Sequence, residues 1–324
     1  MLVDSFGRVA RDLRISVTDR CNFRCTYCMP EEGMKWLPRE ELLTFEEIER
    51  VARLCVERFG VDSIRLTGGE PTLRAHLPVL VEKLARLGVD LAMTTNGVKL
   101  PELAADLRAA GLRRLNVSLD SLRRDRFLAL TRRDELDRVL AGIEVAQQAG
   151  FDPVKVNVVL VRGVNDDEIV DIAAWARGVG VQPRFIEFMP LDADGTWHAE
   201  QVVPSDEVVA AVDAVFPLEP VVHGPEPAAR YRYRDGGGEL GVIASVTRPF
   251  CESCDRIRMT AEGQFRSCLF AVEERDLRAI LRGGGDDDEL AEAIRAEVAG
   301  KWAGHSIGRV QFVRPDRSMS RIGG

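Results

Sequence analysis

Residues 14–30 read RISVTDRCNFRCTYCMP, a stretch in which alternating apolar positions run directly into three cysteines. The alternation over residues 14–18 predicts a β-strand, so the cysteines occupy the loop at its end. Cys21, Cys25 and Cys28 have the spacing C-x3-C-x2-C, and thiolates this close repel one another unless a metal centre binds them. A structural zinc site needs four ligands, and no fourth Cys or His lies nearby. The spacing therefore favours a 4Fe–4S cluster, in which three thiolates leave one iron open to a small molecule.

Strand and helix patterns alternate six times between residues 14 and 188, and each strand is followed by a polar or glycine-rich turn. Such alternation predicts a parallel sheet with right-handed crossovers, either an open doubly wound sheet or a partial barrel. In both architectures ligands gather at the C-terminal ends of the strands. The cysteine loop, the turns at 67–71 and 94–97, Ser118 and Met189 all fall at this edge. Their convergence predicts a single site there.

The composition changes after Pro190, and a proline-containing linker precedes a second predicted domain. We place the two domains at residues 1–215 and 216–324. The second is predicted to contain short strands and helices, at about 230–234, 240–245, 274–281 and 288–299. The polar tail would be disordered on composition alone. Because glycine has no side chain and can approach a ligand closely, we expect Gly323 and Gly324 to reach into the pocket instead.

The composition is that of a globular protein, with 45% hydrophobic residues and a net charge of −8 over 324 residues. The negative charge argues against a general nucleic-acid binder, which would carry a basic field. The sequence contains neither an apolar run long enough to span a membrane nor the apolar core of a signal peptide. A cytoplasmic location is therefore expected, in which cysteines serve metal sites rather than disulfides. Cys55 lies in a helical apolar stripe and is predicted to belong to the core.

A second cysteine triplet, Cys251-x2-Cys254-x13-Cys268, lies in the second predicted domain. Its C-x2-C half is common in zinc ribbons, which would need a further pair of ligands. Only Cys268 remains, although His305 could complete a zinc site. Zinc therefore stays open here as an alternative to a second cluster.

Arg256 and Arg258 lie between the cysteines of the second triplet, at alternate positions of a predicted extended strand. Alternate strand residues point to the same side, and a pair of guanidinium groups suits the oxygens of a phosphate. Two solvated strand residues would show the same spacing. Their position beside a metal group in an acidic protein favours the anion-binding interpretation.

The first cysteine motif, with Tyr27 before its last cysteine, resembles the signature of the radical S-adenosylmethionine (SAM) superfamily. Further segments resemble a more particular family, the GTP 3′,8-cyclases, also called molybdenum cofactor biosynthesis protein A. These segments are FGR at 6–8, DLRISVTDRCNFRC at 12–25, IRLTGGEP at 64–71, NVSLD at 116–120, KVN at 155–157, RFIEFM at 184–189 and the final Gly-Gly. The likeness runs from Phe6 to Gly324. The first motif indicates only the superfamily, and the second triplet, its arginines and the Gly-Gly end indicate the family.

The resemblance implies an α/β fold, an incomplete (βα)6 TIM-type barrel with a C-terminal α+β domain closing the open side. It implies two 4Fe–4S clusters, held by Cys21, Cys25, Cys28, Cys251, Cys254 and Cys268. SAM, bound to the open iron of the first cluster, would be contacted by Tyr27, Gly69, Ser118 and Met189. GTP would be contacted by Arg14, Arg65, Thr94, Lys155, Arg184, Arg256, Ile257 and Arg258. Catalytic roles are expected for Arg14, Arg256, Arg258, Gly323 and Gly324.

The activity implied by the resemblance is that of a radical SAM lyase, which converts GTP to (8S)-3′,8-cyclo-7,8-dihydroguanosine 5′-triphosphate. A 5′-deoxyadenosyl radical would abstract H3′ of GTP, and the open iron of the second cluster would bind the guanine ring. This is the first step of molybdopterin (molybdenum cofactor) biosynthesis. Expected partners besides GTP are an external one-electron reductant resembling flavodoxin or ferredoxin and a downstream cyclic pyranopterin monophosphate synthase. A homodimer is compatible with the sequence, and neither nucleic acid nor a membrane is an expected partner.

The basic residues on the predicted strands agree with a nucleotide substrate. GTP carries about four negative charges, which require several cations in a closed pocket. Arg14, Arg65, Lys155 and Arg184 each lie on a predicted strand, which positions a side chain better than a loop does. The alternative is that such an arginine pairs with a core carboxylate such as Glu187, because buried charges are normally paired.

Other functions remain open from the residues alone. A radical SAM enzyme with an auxiliary cluster could act on a peptide, although such enzymes generally carry more cysteines after the barrel. A non-enzymatic metal-binding module for nucleic acid is a second alternative, against which the acidic charge counts. The Gly-Gly end alone would also suit a sulfur-carrier tail, but such tails belong to small carrier proteins.

Overall fold

In the computed structural model, six parallel strands alternate with helices and confirm the predicted incomplete (βα)6 barrel. The strands are β1 (Asp12–Ser16), β2 (Ser63–Thr67), β3 (Asp90–Thr95), β4 (Arg114–Ser118), β5 (Lys155–Leu160) and β6 (Gln182–Glu187). The helices are α1 (Phe45–Phe59), α2 (Leu77–Ala85), α3 (Leu100–Ala109), α4 (Arg124–Thr131), α5 (Leu136–Gln148), α6 (Ile169–Val179) and α7 (Ser205–Asp213). The structure describes residues 1–324 apart from 193, 223, 225, 306, 308–311, 313, 316 and 324.

Helix α1 illustrates how local sequence sets the ends of these elements. The Thr44 hydroxyl accepts a hydrogen bond from the Glu47 amide at 3.2 Å, and the Glu47 carboxylate accepts one from the Thr44 amide at 2.7 Å. This reciprocal capping box satisfies amides that the first helical turn leaves unpaired. Gly60 ends the helix in the left-handed conformation, with φ of 76°. Cys55 is completely buried on the inner face, as predicted for a core residue.

The register of the parallel strands places basic residues side by side. Arg14 on β1 lies opposite Arg65 on β2, and on its other side opposite Arg258. Residues paired in register on neighbouring strands share one face of the sheet. Three arginines from distant parts of the chain therefore form a row on the inner face of the barrel.

The C-terminal region continues the barrel sheet at both of its edges. Its strands are β7 (Leu218–Val221), β8 (Ala229–Tyr233), β9 (Glu239–Ile243), β10 (Arg256–Met259), β11 (Gln264–Arg266) and β12 (Arg275–Asp276). Strand β10 pairs in parallel with β1, and β9 pairs in parallel with β6. The helices of this region are α8 (Leu277–Arg282), α9 (Asp287–Ala299) and α10 (Met319–Ile322). Since the two regions share one sheet of 12 strands, the predicted boundary after residue 215 stays a prediction.

Two segments hold more regular structure than the sequence predicted. The proline-containing linker includes β7, whose Pro220 is tolerated because β7 is an outer strand that pairs only with β8. The tail includes α10, although composition alone indicated disorder. Ile322 and Gly323 are buried against the barrel, so tertiary packing orders the tail. In the described part of the chain, no helix combines the length and apolar character required to cross a membrane.

Candidate active site

A cavity of about 480 Å³ lies inside the barrel and extends to the second cysteine triplet. Predicted site residues that line it are Arg14, Tyr27, Arg65, Thr94, Ser118, Arg184, Met189, Arg256 and Arg258. All three cysteines of the second triplet also line it. Most of the predicted SAM contacts, the cations and the second triplet therefore face one space.

The glycines among the predicted site residues are positions of close backbone approach. A Cβ atom on Gly69 would lie 2.4 Å from the carbonyl oxygen of Arg20, so no other residue fits there without displacing backbone. Gly323 has φ of 80°, and its carbonyl accepts a hydrogen bond from the cavity-lining Arg258. Gly324 lies outside the described residues, and its predicted role stays a prediction.

Two predicted substrate residues do not line the cavity. Ile257 packs its side chain into the core with no exposed surface, because strand alternation turns it away from its two arginine neighbours. Only its backbone is left for contact with a ligand. Lys155 is the first residue of β5, where burial and the nearby charges of Arg184, Arg114 and Arg65 lower its pKa to about 8. Lys155 thus belongs electrostatically to the same cationic group.

The cations of the barrel are held in a strongly destabilising environment. Burial, together with the charge of Arg14, lowers the pKa of Arg65 to about 9. Burial lowers the pKa of Arg184 to about 10. The pKa of Arg258 is also well below its usual value, because Arg258 is buried beside Arg14 and Arg256. A bound anion would relieve this mutual repulsion.

The same cations have hydrogen-bonding capacity to spare. Within the described residues, three buried guanidinium nitrogens of these cations have no hydrogen-bond partner. They are Nε of Arg14, which forms only an ion pair with Asp12, and Nε and one terminal nitrogen of Arg65. The carboxylates around them are few and not ideally placed, at 3.5 Å between Arg14 and Asp12 and 3.9 Å between Arg184 and Glu226. Buried donors normally have partners, so these groups fit the oxygens of a polyanionic ligand.

Glu187 does not neutralise the barrel arginines, contrary to the alternative raised from the sequence. Its carboxylate accepts hydrogen bonds from the backbone amides of Ser205 at 3.0 Å, Val246 at 2.7 Å and Thr247 at 2.8 Å. These contacts join the end of β6 to α7 and to the segment after β9. Of the barrel arginines, Arg14 and Arg184 therefore pair with Asp12 and Glu226 rather than with Glu187.

The first cysteine triplet lies in a buried and electronegative environment. Burial raises the pKa of Cys21 and of Cys28 to about 12, and the pKa of Cys25 lies well above its usual value. Near Cys25, the buried Asp120 carboxylate accepts a hydrogen bond from the Tyr27 hydroxyl at 2.5 Å. Such thiols become thiolates only when a cationic centre compensates them, as an iron–sulfur cluster does.

Within the second triplet, burial raises the pKa of Cys251, whereas Cys254 lies beside two cations. Burial opposes ionisation of Cys254, but the charges of Arg256 and Lys301 outweigh it and lower the pKa of Cys254 to about 7. The Arg256 guanidinium lies 3.4 Å from the Cys254 sulfur. The ammonium of the buried Lys301 donates to the carbonyls of Cys254 and Arg256 at 2.9 and 3.0 Å.

The thiol geometry fits iron–sulfur clusters better than zinc. Among the described residues, no group of three or more His, Cys, Asp or Glu side chains is arranged to hold one metal ion. A cluster binds each thiolate through a different iron, so the sulfurs need not converge on one point. Backbone amides also point at sulfur in both triplets, at 3.4 Å to Cys21 and 3.4 Å to Cys268. The ring of the proposed zinc ligand His305 packs against Phe270 at an interplanar angle of 55°, with ring centroids 5.0 Å apart.

Sequence reasoning missed two charged residues that organise the site. Glu70, within the GGEP turn, is buried and accepts hydrogen bonds from the Thr95 hydroxyl at 2.7 Å and the Asn96 amide at 2.7 Å. It thereby joins the ends of β2 and β3, and its place in the quoted turn was a usable signal. Lys301 is an isolated lysine after α9, and no local pattern indicated that it contacts the second triplet.

Comparison with known proteins first gives the class. A family model described as the radical SAM superfamily matches residues 15–176, and one described as Molybdenum Cofactor Synthesis C matches residues 181–307. The partial barrel with a cysteine loop after its first strand is thus that of a radical SAM enzyme. GTP 3′,8-cyclase of Streptomyces coelicolor is 50% identical over 329 residues, covering 100% of this chain and 96% of the relative. The protein of that name from Rhodococcus opacus is 50% identical over 329 residues, covering 100% and 93%.

The chain belongs to the GTP 3′,8-cyclase family. Its cofactors are accordingly 4Fe–4S clusters and SAM, which the two cysteine triplets and their hydrogen-bonded loops fit. Solved structures add a likeness of fold alone. Streptococcus suis SuiB aligns with a TM-score of 0.66 at 13% identity, covering 91% of this chain and 68% of SuiB. Its complex with S-adenosylmethionine aligns with a TM-score of 0.62 at 14% identity, covering 90% and 68%.

Proposed function

We propose that this chain converts GTP to (8S)-3′,8-cyclo-7,8-dihydroguanosine 5′-triphosphate, the first step of molybdenum cofactor biosynthesis. One observation carries the proposal within the family assignment. A single cavity joins a row of buried arginines with unpartnered donors to a second, three-ligand cysteine group. A nucleoside triphosphate offers a polyanion for the first part and a nitrogen-rich ring for the second.

When bound, the first cluster and SAM would supply a 5′-deoxyadenosyl radical able to remove H3′ of GTP. The chain binds, orients and shields the reactants. The SAM-binding residues in this proposal are Tyr27, Gly69, Ser118 and Met189. The GTP-binding residues are Arg14, Arg65, Thr94, Lys155, Arg184, Arg256, Ile257 and Arg258. Catalytic positioning falls to Arg14, Arg256, Arg258, Gly323 and Gly324.

The arginine row and the enclosed cavity explain why these residues suit radical chemistry. Charge-assisted hydrogen bonds from fixed guanidinium groups hold a triphosphate in one register, which places the ribose at one position in the barrel. The C-terminal region pairs with both edges of the sheet, and this covering would limit the access of bulk water to the reacting carbon. Gly323 contributes backbone without bulk at the tail, where its carbonyl holds Arg258.

The proposal also includes partners. Radical formation consumes one electron, so an external one-electron reductant of the flavodoxin or ferredoxin type is required. A downstream cyclic pyranopterin monophosphate synthase consumes the product. A cytoplasmic location follows from the reduced thiols that both triplets need. A homodimer is part of the proposal and is tested by light scattering.

Anaerobic turnover with GTP, SAM and dithionite tests the function. We expect a cyclised nucleotide by mass spectrometry and one 5′-deoxyadenosine per product. GTP deuterated at C3′ should transfer its label to 5′-deoxyadenosine, whereas GTP deuterated at C2′ is the matched control. SAM cleavage that is independent of GTP and gives no cyclised nucleotide would contradict the proposal.

The peptide-modifying alternative is not favoured. The relatives matched over the full chain are GTP 3′,8-cyclases, while the peptide-bound SuiB structure resembles this chain at 13% identity and informs on the fold alone. The part of the chain after the barrel also contains only the three cysteines of the second triplet.

A further inference from the structure

The N-terminal segment forms a small hairpin that the proposed function does not use. Val3 and Val9 form an antiparallel bridge, and the turn between them takes φ of 81° at Gly7. The Asp4 carboxylate accepts hydrogen bonds from the amides of Phe6 at 2.9 Å and Arg8 at 3.0 Å. This side chain has 1% of its surface exposed, so the hairpin has a fixed and buried acidic centre.

The guanidinium of Arg8 leaves this hairpin and reaches the second cysteine triplet. Its Nε pairs with Asp4 at 2.6 Å, and one terminal nitrogen donates to the carbonyl oxygen of Cys251 at 2.7 Å. The terminal nitrogens also donate to the carbonyls of Trp302 at 2.5 Å and Ala303 at 2.8 Å. Arg8 thus joins the start of the cysteine loop to the segment after α9, with 8% of its side chain exposed.

The other end of the cysteine loop is held by the same segment. The amides of Arg11 and Asp12 donate to the carbonyl of Asp255 at 2.9 and 3.2 Å. The loop from Cys251 to Asp255 is therefore fixed at both ends by residues 8–12. Only one of these three contacts uses a side chain, and that side chain belongs to Arg8.

We propose that Arg8 is a positioning residue for the second cluster. It holds the Cys251 carbonyl and the 302–303 backbone at one point, so that the cysteines of this triplet keep the spacing that a cluster requires. The Asp4 carboxylate orients the guanidinium through its Nε and leaves both terminal nitrogens free to donate to the carbonyls, which a shorter or uncharged side chain cannot reproduce. The inference rests on the proposed function only in treating the second triplet as a cluster site.

Arg8→Gln and Arg8→Lys test this role, with Arg11→Gln as the matched control. The Arg11 side chain is half exposed and pairs only with Asp62 among the described carboxylates, so its loss removes the same charge without touching the loop. After anaerobic reconstitution we expect about eight irons per chain in the wild type and in Arg11→Gln, and about four in Arg8→Gln. The electron paramagnetic resonance signal of the second cluster should be lost while that of the first is kept. Arg8→Lys should give an intermediate iron content, because its single charged nitrogen cannot reach all three carbonyls that the guanidinium contacts.

Hydrogen exchange of the cluster-free protein gives a second readout that does not depend on activity. In Arg8→Gln, peptides covering 250–256 and 300–305 should exchange at least tenfold faster, while peptides covering β2 to β5 should be unchanged. Iron near eight with unchanged exchange would overturn the proposal. So would faster exchange throughout the barrel, which would indicate a general structural role, or an equal effect of Arg11→Gln. A wild-type protein that holds about eight irons but makes no cyclised nucleotide would refute the proposed function and leave this role standing.

Discussion

The two cysteine triplets have the same number of thiols, but one thiol of the second triplet, Cys254, lies in a different electrostatic environment from the thiols of the first. Burial raises the pKa of Cys21 and Cys28 to about 12, whereas Arg256 and Lys301 overcome burial and bring the pKa of Cys254 to about 7. The first loop must therefore obtain its charge compensation from the cluster it binds. The second loop obtains part of it from the protein, before any cluster is present.

The arginines near the first cysteine loop contact its backbone, whereas an arginine near the second loop contacts a cysteine sulfur. Arg24 donates to the carbonyls of Cys21 and Phe23 at 2.8 Å each, and Arg132 donates to the carbonyl of Met29 at 3.3 Å. These contacts fix the backbone of the loop, while Arg256 approaches a sulfur directly. Cysteine spacing reports how many ligands a site has, but the surrounding charges decide how each thiol behaves.

Replacing one cysteine in each triplet should give the largest difference in activity between the two cluster sites. In Cys21→Ser, SAM cleavage should fall to background and iron should drop from about eight to about four per chain. In Cys254→Ser, iron should drop equally, but reductive SAM cleavage should persist without cyclised product. Cys55→Ala is the control, because Cys55 is a buried core thiol outside both triplets. Equal loss of SAM cleavage in both serine variants would contradict the assignment of SAM cleavage to the first triplet alone.

Alkylation of the cluster-free protein should sharpen the electrostatic difference. At pH 8, pKa values of about 7 and about 12 give thiolate fractions near one for Cys254 and near 10⁻⁴ for Cys21. A thiolate of lower pKa is intrinsically less nucleophilic, which reduces the advantage of Cys254 by about two orders of magnitude. The net prediction is that Cys254 reacts about 30- to 100-fold faster than Cys21. Mass spectrometry of iodoacetamide-treated protein measures both rates. The Cys254 rate should decline below pH 7, and Lys301→Met should slow it, since that variant removes a cation. Equal rates would contradict the assigned environments.

The C-terminal tail contacts both regions, and a single methyl group tests its importance. Ser320 lies near Cys28 of the first triplet and helps to lower the pKa of that thiol against the effect of burial, and the Gly323 carbonyl accepts a hydrogen bond from Arg258 beside the second. In Gly323→Ala the new Cβ would lie 2.5 Å from Thr67 Oγ1 at a φ of 80°, at a cost of about 1–3 kcal/mol. Cyclisation should fall roughly 5- to 100-fold if the tail is displaced, with iron content unchanged.

Gly178→Ala is the control for the tail, because that glycine lies in α6 with open space around its Cα and no positive φ. Cyclisation and SAM cleavage are measured separately in both variants. Unchanged cyclisation in Gly323→Ala would mean that the tail does not serve the reaction.

The parts of the site that sequence predicted are those encoded by short spacings. The six strand–helix units, both triplets and the cations on β1, β2 and β6 follow from periodicity within about 20 residues of chain. The pairing of β10 with β1 does not, because it depends on the register of segments more than 240 residues apart. The contact of Arg8 with Cys251 depends on the same pairing of distant segments, because the two residues lie 243 positions apart in the sequence. Hence the sequence predicted Arg258, Arg14 and Arg65 as three separate cations. It did not predict that they lie side by side in one row.

Lys155 provides the mildest test, by comparing a lysine of the barrel with the arginines around the second triplet. Its pKa of about 8 reflects burial and the repulsion of Arg184, so in the ligand-free protein it is protonated below pH 8 and neutral above. Binding a triphosphate requires the charged form. Affinity for GTP should therefore be constant below pH 8 and weaken by up to about tenfold per pH unit above it. In Lys155→Arg the guanidinium keeps its proton to a higher pH than the lysine does, so the decline should shift to higher pH. Equilibrium dialysis with labelled GTP measures both profiles, and an identical decline in the variant would assign the titration to another group.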